Sequence, residues 1–343
     1  MQHPSSPSQL DERRVTHLDI EDTPRGSIGR FLVHIATDGM GMPIYVPVQV
    51  ARGVEDGPVL GLTAAIHGNE LNGIPVIQRL FREIDPLHLR GTVVGVLVAN
   101  VPSYLRRVRR FINGKDLNHI MPGRPDGDVS EIYAYRLIDR IIKHFDYLLD
   151  LHTASFGRVN SYYIRADLSD PTTRTLAVLQ NAQIIVHNPP SDGTLRGAAN
   201  AMGIPAITLE VGNPNTFQRG YIRGGLTGIH NTLAWLNMME GALDTRTPEK
   251  TIICHRSYWI YSDEGGLLTV PIEVTQKVQK GQVIARIQNI WGDVVREYEA
   301  PEEGVIIGKE INPVNQTGGR ILHLGIEAVE DFFDTLDARA AKD

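Results

Sequence analysis

The chain has 343 residues, 42% apolar and 22% charged, with a net charge of −6 at neutral pH and one cysteine, Cys254. That is enough chain for a sizeable core and, by length alone, for about two domains. The acidic balance gives no footprint for nucleic acid, and a single cysteine excludes an internal disulfide and fits a reducing compartment. No run approaches the roughly 18 uninterrupted apolar residues of a membrane span.

The opening "MQHPSSPSQLDERRVTH" is polar and lacks the apolar centre of a signal peptide, so residues 1–25 read as a loosely ordered arm of a cytoplasmic protein. "GRFLVHIAT" (29–37) and "MPIYVPVQVARG" (42–53) are strand-like and flank "DGMG", a hairpin signal. The "GMG" therefore lies in a hairpin, not in the strand-to-helix setting that dinucleotide binding requires. "PVLGLTAAIHG" then reads as a buried strand, "NGIPVIQRLFREI" as an amphipathic helix and "GTVVGVLVAN" as a second buried strand. Continuous apolar runs indicate strands covered on both faces.

The alternation continues through the helix "SEIYAYRLIDRIIKHF" (130–145) and the strand "DYLLDLH" (146–152). Next come "PTTRTLAVLQNA", "QIIVH" and "TLRGAANAMG" as helix, strand and helix, then the strand "IPAITLEVG" (204–212) and the helix "LTGIHNTLAWLNMME". This alternation predicts an α/β domain over 26–245, its mostly parallel or mixed sheet flanked by helices. From 250 to 330, short β-type runs between glycines and prolines predict a small all-β domain. The basic cluster "RRVRR" (106–110) is short, which suits an anionic small molecule or a solvated helix face better than a polyanion.

Ligands of open α/β sheets bind beyond the carboxyl ends of the strands. Three expected strands end in groups that bind metals or move protons: one at His67, with Glu70 on the following turn, one at His152 and one at Glu210. By itself "HGNE" also reads as an ordinary strand end, with Gly68 and Asn69 turning and Glu70 compensating a helix dipole. Two histidines and a carboxylate nevertheless make a catalytic zinc set with one position left open. Such a site needs another carboxylate, off the metal, to take a proton from water and hand it to a leaving amine, and Glu210 is the candidate. Asp150 is either a hydrogen-bond partner that orients His152 or a capping or surface aspartate.

"HGNELNG", "RRFINGKDLNHIMPG", "DLHTA" and "ITLEVG" occur in that order between about residues 58 and 240. As a set they resemble the motifs of the succinylglutamate desuccinylase/aspartoacylase family, a branch of the zinc carboxypeptidase fold. The resemblance implies one zinc per chain on His67, Glu70 and His152, with Glu210 as general base and acid. It implies that Arg110 supports the carbonyl oxygen as it gains charge, that Asn118 helps to hold a substrate carboxylate and that Arg196 is a further substrate contact. The substrate so implied is a small N-acyl amino acid or related amide.

One position departs from the family pattern: "DLNH" places His119 where the family has an arginine. An imidazole cannot grip a carboxylate bidentately, so either the substrate head group differs or Arg106, Arg107 or Arg109 compensates. The C-terminal region resembles the half-barrel of biotinyl and lipoyl carriers, but "IWGDVVREYEAPEEG" has no lysine to take a cofactor, so it reads as a structural cap. The alternatives are a small-peptide carboxypeptidase or isopeptidase of the same fold, or a non-catalytic metal- or ligand-binding protein. A homo-oligomer is compatible with the sequence, which does not specify one.

Overall fold

The computed structural model describes residues 12–190, 193–241, 243 and 251–340, without the side chains of 338–340. The first eleven residues of the expected arm lie outside the described residues. The rest of it is packed: β1 (Glu12–Val15) pairs with β2 (Ser27–Thr37), and Leu18 is buried, its N–H bonded to the Arg140 carbonyl. The hairpin from β2 to β3 (Pro43–Arg52) turns where Asp38 accepts from the N–H groups of Met40 and Met42.

The alternating segment then runs β4 (Glu55–Ala64), α1 (Gly73–Glu83), β5 (Arg90–Val96), a short α2 (Val101–Arg106), α3 (Val129–Arg140) and β6 (Tyr147–His152). It continues through β7 (Arg158–Asn160), β8 (Tyr162–Ala166), α4 (Pro171–Leu179), β9 (Ile184–His187), α5 (Leu195–Ala201), β10 (Ala206–Val211) and α6 (Arg219–Trp235). Strands β5, β4, β6 and β10 lie side by side and parallel, and β6 and β10 are buried almost throughout. Both sheet faces are covered, which is why these segments carry continuous apolar runs. Helices α1, α4 and α6 pack on one face through Leu80, Leu176 and Leu233, and α3 and α5 on the other through Leu137 and Leu195.

The sheet is mixed because β8 runs antiparallel beside β10 before β9 resumes the parallel sense. The C-terminal all-β region comprises β11 (Ile252–Tyr261), β12 (Gly266–Thr269), β13 (Lys277–Val278), β14 (Val283–Gln288), β15 (Val294–Glu299), β16 (Gly304–Glu310), β17 (Val314–Asn315) and β18 (Arg320–Glu327), followed by α7 (Phe332–Ala340). β11 pairs parallel with β9, so β11, β18, β16 and β13 prolong the main sheet to fourteen strands, counting β7 on β16. A separate four-stranded sheet runs in the order β15, β14, β12, β17. Among the described residues no helix is long and apolar enough to cross a membrane.

Candidate metal centre

Strand β4 stops at Ala64, three residues short of His67. Ala65 then adopts a left-handed φ of 54°, and Asn100 holds the exit by donating from Nδ2 to the Ile66 carbonyl at 2.9 Å. Gly68 lies so close to α2 that a Cβ there would fall 2.0 Å from the Ser103 carbonyl carbon. The turn closes with the Glu70 N–H on the His67 carbonyl, which brings the two side chains together. The parallel register of β6 and β10 sets Glu210 beside His152, so these strands deliver their terminal groups at one level.

His67, Glu70 and His152 are all buried and offer ligand atoms within 4.8 Å of one another. Each imidazole is fixed from behind. His67 Nε2 lies 2.9 Å from Asp116 Oδ1, and His152 Nε2 lies 2.7 Å from Asp150 Oδ2, whose other oxygen accepts from Thr63 at 2.6 Å. Carboxylates only accept, so each Nε2 carries a proton, and in the neutral ring each Nδ1 is left with the lone pair a metal needs. Those lone pairs face Glu70, with His67 Nδ1 2.9 Å from Oε1 and His152 Nδ1 3.0 Å from Oε2. His67 Nδ1 is buried and, despite that separation, lacks hydrogen-bond geometry to any partner. Two ring nitrogens converging on one carboxylate need a cation between them, a proton or a metal ion, and the buried, partnerless His67 Nδ1 fits the metal.

The electrostatics show what an ion would displace, since a metal binds such ligands in exchange for their protons. Burial works against charging Glu70, but the neighbouring His67 and His152 outweigh it and hold the acid well below the usual carboxylate range. Burial likewise opposes a charge on His152, and the Asp150 carboxylate overrides it and raises the imidazole well above its ordinary value. Asp116 is pulled down by its His67 hydrogen bond and by the charges of His67, Arg109 and His119, against the burial that would raise it.

A cavity of about 700 Å³ opens over this cluster, lined by the expected ligands His67, Glu70 and His152 and by Glu210, Arg110, Asn118, His119 and Arg196, but not by Asp150, Arg106 or Arg107. Glu210 accepts from Asn160 Nδ2 at 3.2 Å and lies 3.5 Å from Arg165 Nε. Arg110 is exposed and donates to the Gly114 carbonyl, whereas its neighbour Arg109 reaches Glu70 Oε1 at 3.0 Å and Asp116 Oδ2 at 2.8 Å. Asn118 uses its Oδ1 to cap the Leu195 N–H at 2.7 Å, leaving its NH₂ as the donor for a ligand. His119 is an exposed side chain 3.9 Å from Asp116. Arg196 is buried and grips Asn188 through two 2.6 Å bonds; burial and the nearby Arg165 charge lower it to about 10.

Of the two readings of Asp150, the hydrogen-bond partner of His152 is the one observed. Asp116, the aspartate of the "DLNH" block, joins the cluster without a sequence signal of its own, since it lies in a loop. Asn160 and Arg165 come from the β7–β8 segment, which the alternating pattern did not reveal, and Trp259 and Arg320 reach the cavity from the C-terminal region.

Residues 56–236 match the succinylglutamate desuccinylase/aspartoacylase catalytic domain, more than half of the chain. The chain belongs to that family. An N-alpha-acetyl-L-2,4-diaminobutyric acid deacetylase from Halomonas elongata is 26% identical over 301 residues, covering 84% of this chain and 87% of the relative. A succinylglutamate desuccinylase from Pseudomonas paraeruginosa is 29% identical over 177 residues, 48% of this chain and 53% of that enzyme. The fold is that of a family member from Rhodobacter sphaeroides, at a TM-score of 0.80 and 20% identity over 91% of this chain and 98% of that one. The ectoine utilization protein EutE (DoeB) from Ruegeria pomeroyi superposes at a TM-score of 0.80 and 21% identity over 95% and 100% of the two chains. These family relatives with assigned activities are deacylases, and the four motif blocks of this chain lie in the shared catalytic domain.

Proposed function

We propose that the chain is a zinc-dependent amidohydrolase that removes the acyl group from a small N-acyl amino acid or closely related amide. The observation that carries this reading is the convergence of the two Nδ1 atoms on Glu70 in the cavity that also holds Glu210. His67, Glu70 and His152 would hold the ion. When bound, zinc supplies a Lewis acid for the carbonyl and lowers the pKa of water at its open position.

The rest falls to the chain's own residues. Asp116 and Asp150 keep the two imidazoles in the ligating tautomer. Glu210 takes the proton of the attacking water on a carboxylate oxygen and returns it to the amine nitrogen as the C–N bond breaks. Asn160 and Arg165 keep that carboxylate aimed into the cavity. Arg110, which lines the cavity, would support negative charge growing on the carbonyl oxygen, while Arg109 is tied to Glu70 and Asp116. Asn118 and Arg196 supply donors for the amino-acid carboxylate. The two relatives named above, one a deacetylase and one a desuccinylase, support the substrate class.

Elemental analysis of the wild type beside a His67→Ala/His152→Ala double variant tests the metal: one zinc per chain, lost in the variant, is expected. Glu210→Gln should keep that zinc and lose about 10²- to 10⁴-fold in turnover of N-acyl amino acids, the usual worth of a proton-transfer group. Turnover close to wild type in that variant would sink the assignment of Glu210.

A further inference from the structure

Two arginines face the cavity from the seam with the C-terminal region, and neither forms an ion pair among the described residues. Arg158 opens β7, where pairing with β16 sets it opposite Glu310. Glu310 turns instead to the N–H groups of Ile311 and Asn312, at 3.2 and 2.9 Å. Arg158 spends its Nε on the Ser155 carbonyl at 2.7 Å, and its two terminal nitrogens make no hydrogen bond among the described residues. Arg320, exposed at the start of β18, likewise has no side-chain hydrogen bond there.

Both guanidiniums lie over the indole of Trp259, their Cζ atoms 5.5 and 4.9 Å from its centroid. The indole is backed by His323, its partner in the β11–β18 register, stacked at 4.9 Å and nearly parallel at 12°. Burial and the charges of Arg165, Arg320 and Arg158 keep that imidazole well below its ordinary pKa, so it adds no third cation to the stack. The other cavity arginines are differently employed: Arg109 meets Glu70 and Asp116, Arg165 meets Glu210, Arg110 donates to the Gly114 carbonyl, and Arg196, held by Asn188, serves the first carboxylate in the reading above. Two like charges held against one ring repel each other, and an anion between their open forks removes that penalty. A guanidinium fork matches a carboxylate and repels an ammonium.

We infer that Arg158 and Arg320, held by Trp259, form a second anion subsite that selects substrates carrying another carboxylate remote from the scissile amide. This rests on the deacylase reading for the amide and the first carboxylate. The second carboxylate belongs either to the acyl group or to the amino-acid side chain. A free amine at that point, as in acetylated diaminobutyrate, is disfavoured.

The zinc-loaded full chain is assayed on N-acetyl-L-alanine, N-succinyl-L-alanine, N-acetyl-L-glutamate and N-alpha-acetyl-L-2,4-diaminobutyrate. One of the two dicarboxylates should exceed N-acetylalanine in kcat/KM by about 10- to 100-fold, the worth of a charge-assisted hydrogen bond. Whichever one it is identifies the end that enters the subsite. Arg158→Met and the exposed Arg320→Gln should each cut that ratio through KM, and Lys at either position should restore part of it. A ratio unchanged in Arg320→Gln and in any Arg158 variant that folds, or a wild type that prefers the diaminobutyrate, overturns the subsite. If no amide is cleaved although zinc is bound, the deacylase reading fails and binding decides the subsite alone. Glutarate should then bind more tightly than butyrate and lose that advantage in Arg320→Gln; equal binding overturns it.

Discussion

The two aspartates behind the imidazoles decide whether this cluster is a metal site or a set of buried ion pairs. Asp116 and Asp150 each hold an Nε2 proton, and only that arrangement leaves both Nδ1 atoms free to ligate. Asp150→Asn keeps the size of the side chain and removes the charge that fixes the His152 tautomer. Zinc affinity, measured by competition with a chromogenic chelator, should fall about 10- to 100-fold in Asp150→Asn and in Asp116→Asn, as is usual for such outer partners. An affinity within twofold of wild type in both would mean that the carboxylates do not set the ligand geometry. The residues proposed as ligands were legible as residue types at or just beyond strand ends. Their supports were less so: Asp150 shows in the sequence only as a residue two before His152, and Asp116 sits in a loop where no periodicity points.

The elements that deliver the site depend on close backbone approach as much as on strand formation. Gly68 is the clearest case, because a side chain there would drive into the backbone of α2 at Ser103 and Tyr104. Gly68→Ala should therefore push the "HGNE" turn off α2 and destabilise the protein by about 1–3 kcal/mol, as overpacking does. Its melting temperature and zinc content should fall together; an unchanged melting temperature would show that the turn has room to move. The strands around that turn were readable because β4, β5, β6 and β10 are covered on both faces and so carry unbroken apolar runs. β8 escaped because Tyr163 and Arg165 point into the cavity, where function replaces the apolar pattern. Helix α6 begins at Arg219, earlier than its apolar spacing suggests, because Tyr221 and Ile222 in its first turns stand among arginines and glycines.

At the scale of the molecule the C-terminal region is joined to the catalytic domain as a continuation of its sheet. The β9–β11 ladder joins Ile184, Ile185 and Val186 to Ile252, Ile253 and Cys254, and β7 depends on β16 for its pairing. One buried cluster draws Tyr163, Ile184 and Val186 from the first region and Cys254, Val305 and Ile307 from the second. Composition showed where the β-rich segment begins, but the register of strands far apart in sequence leaves no local trace, so Trp259 and Arg320 could not be placed in the cavity beforehand. This continuity makes a prediction that a detachable cap would not. A chain ending at residue 243 would leave β9 as a bare, apolar edge strand and strip one side from the cluster around Tyr163, which invites edge-to-edge association. It should elute as aggregate in size-exclusion chromatography, show no cooperative thermal transition and bind no stoichiometric zinc. A monomeric, cooperatively melting fragment with one zinc would instead make the region a dispensable cover, and the wall formed by Arg158, Trp259 and Arg320 would then have to be an addition to a site that stands without it.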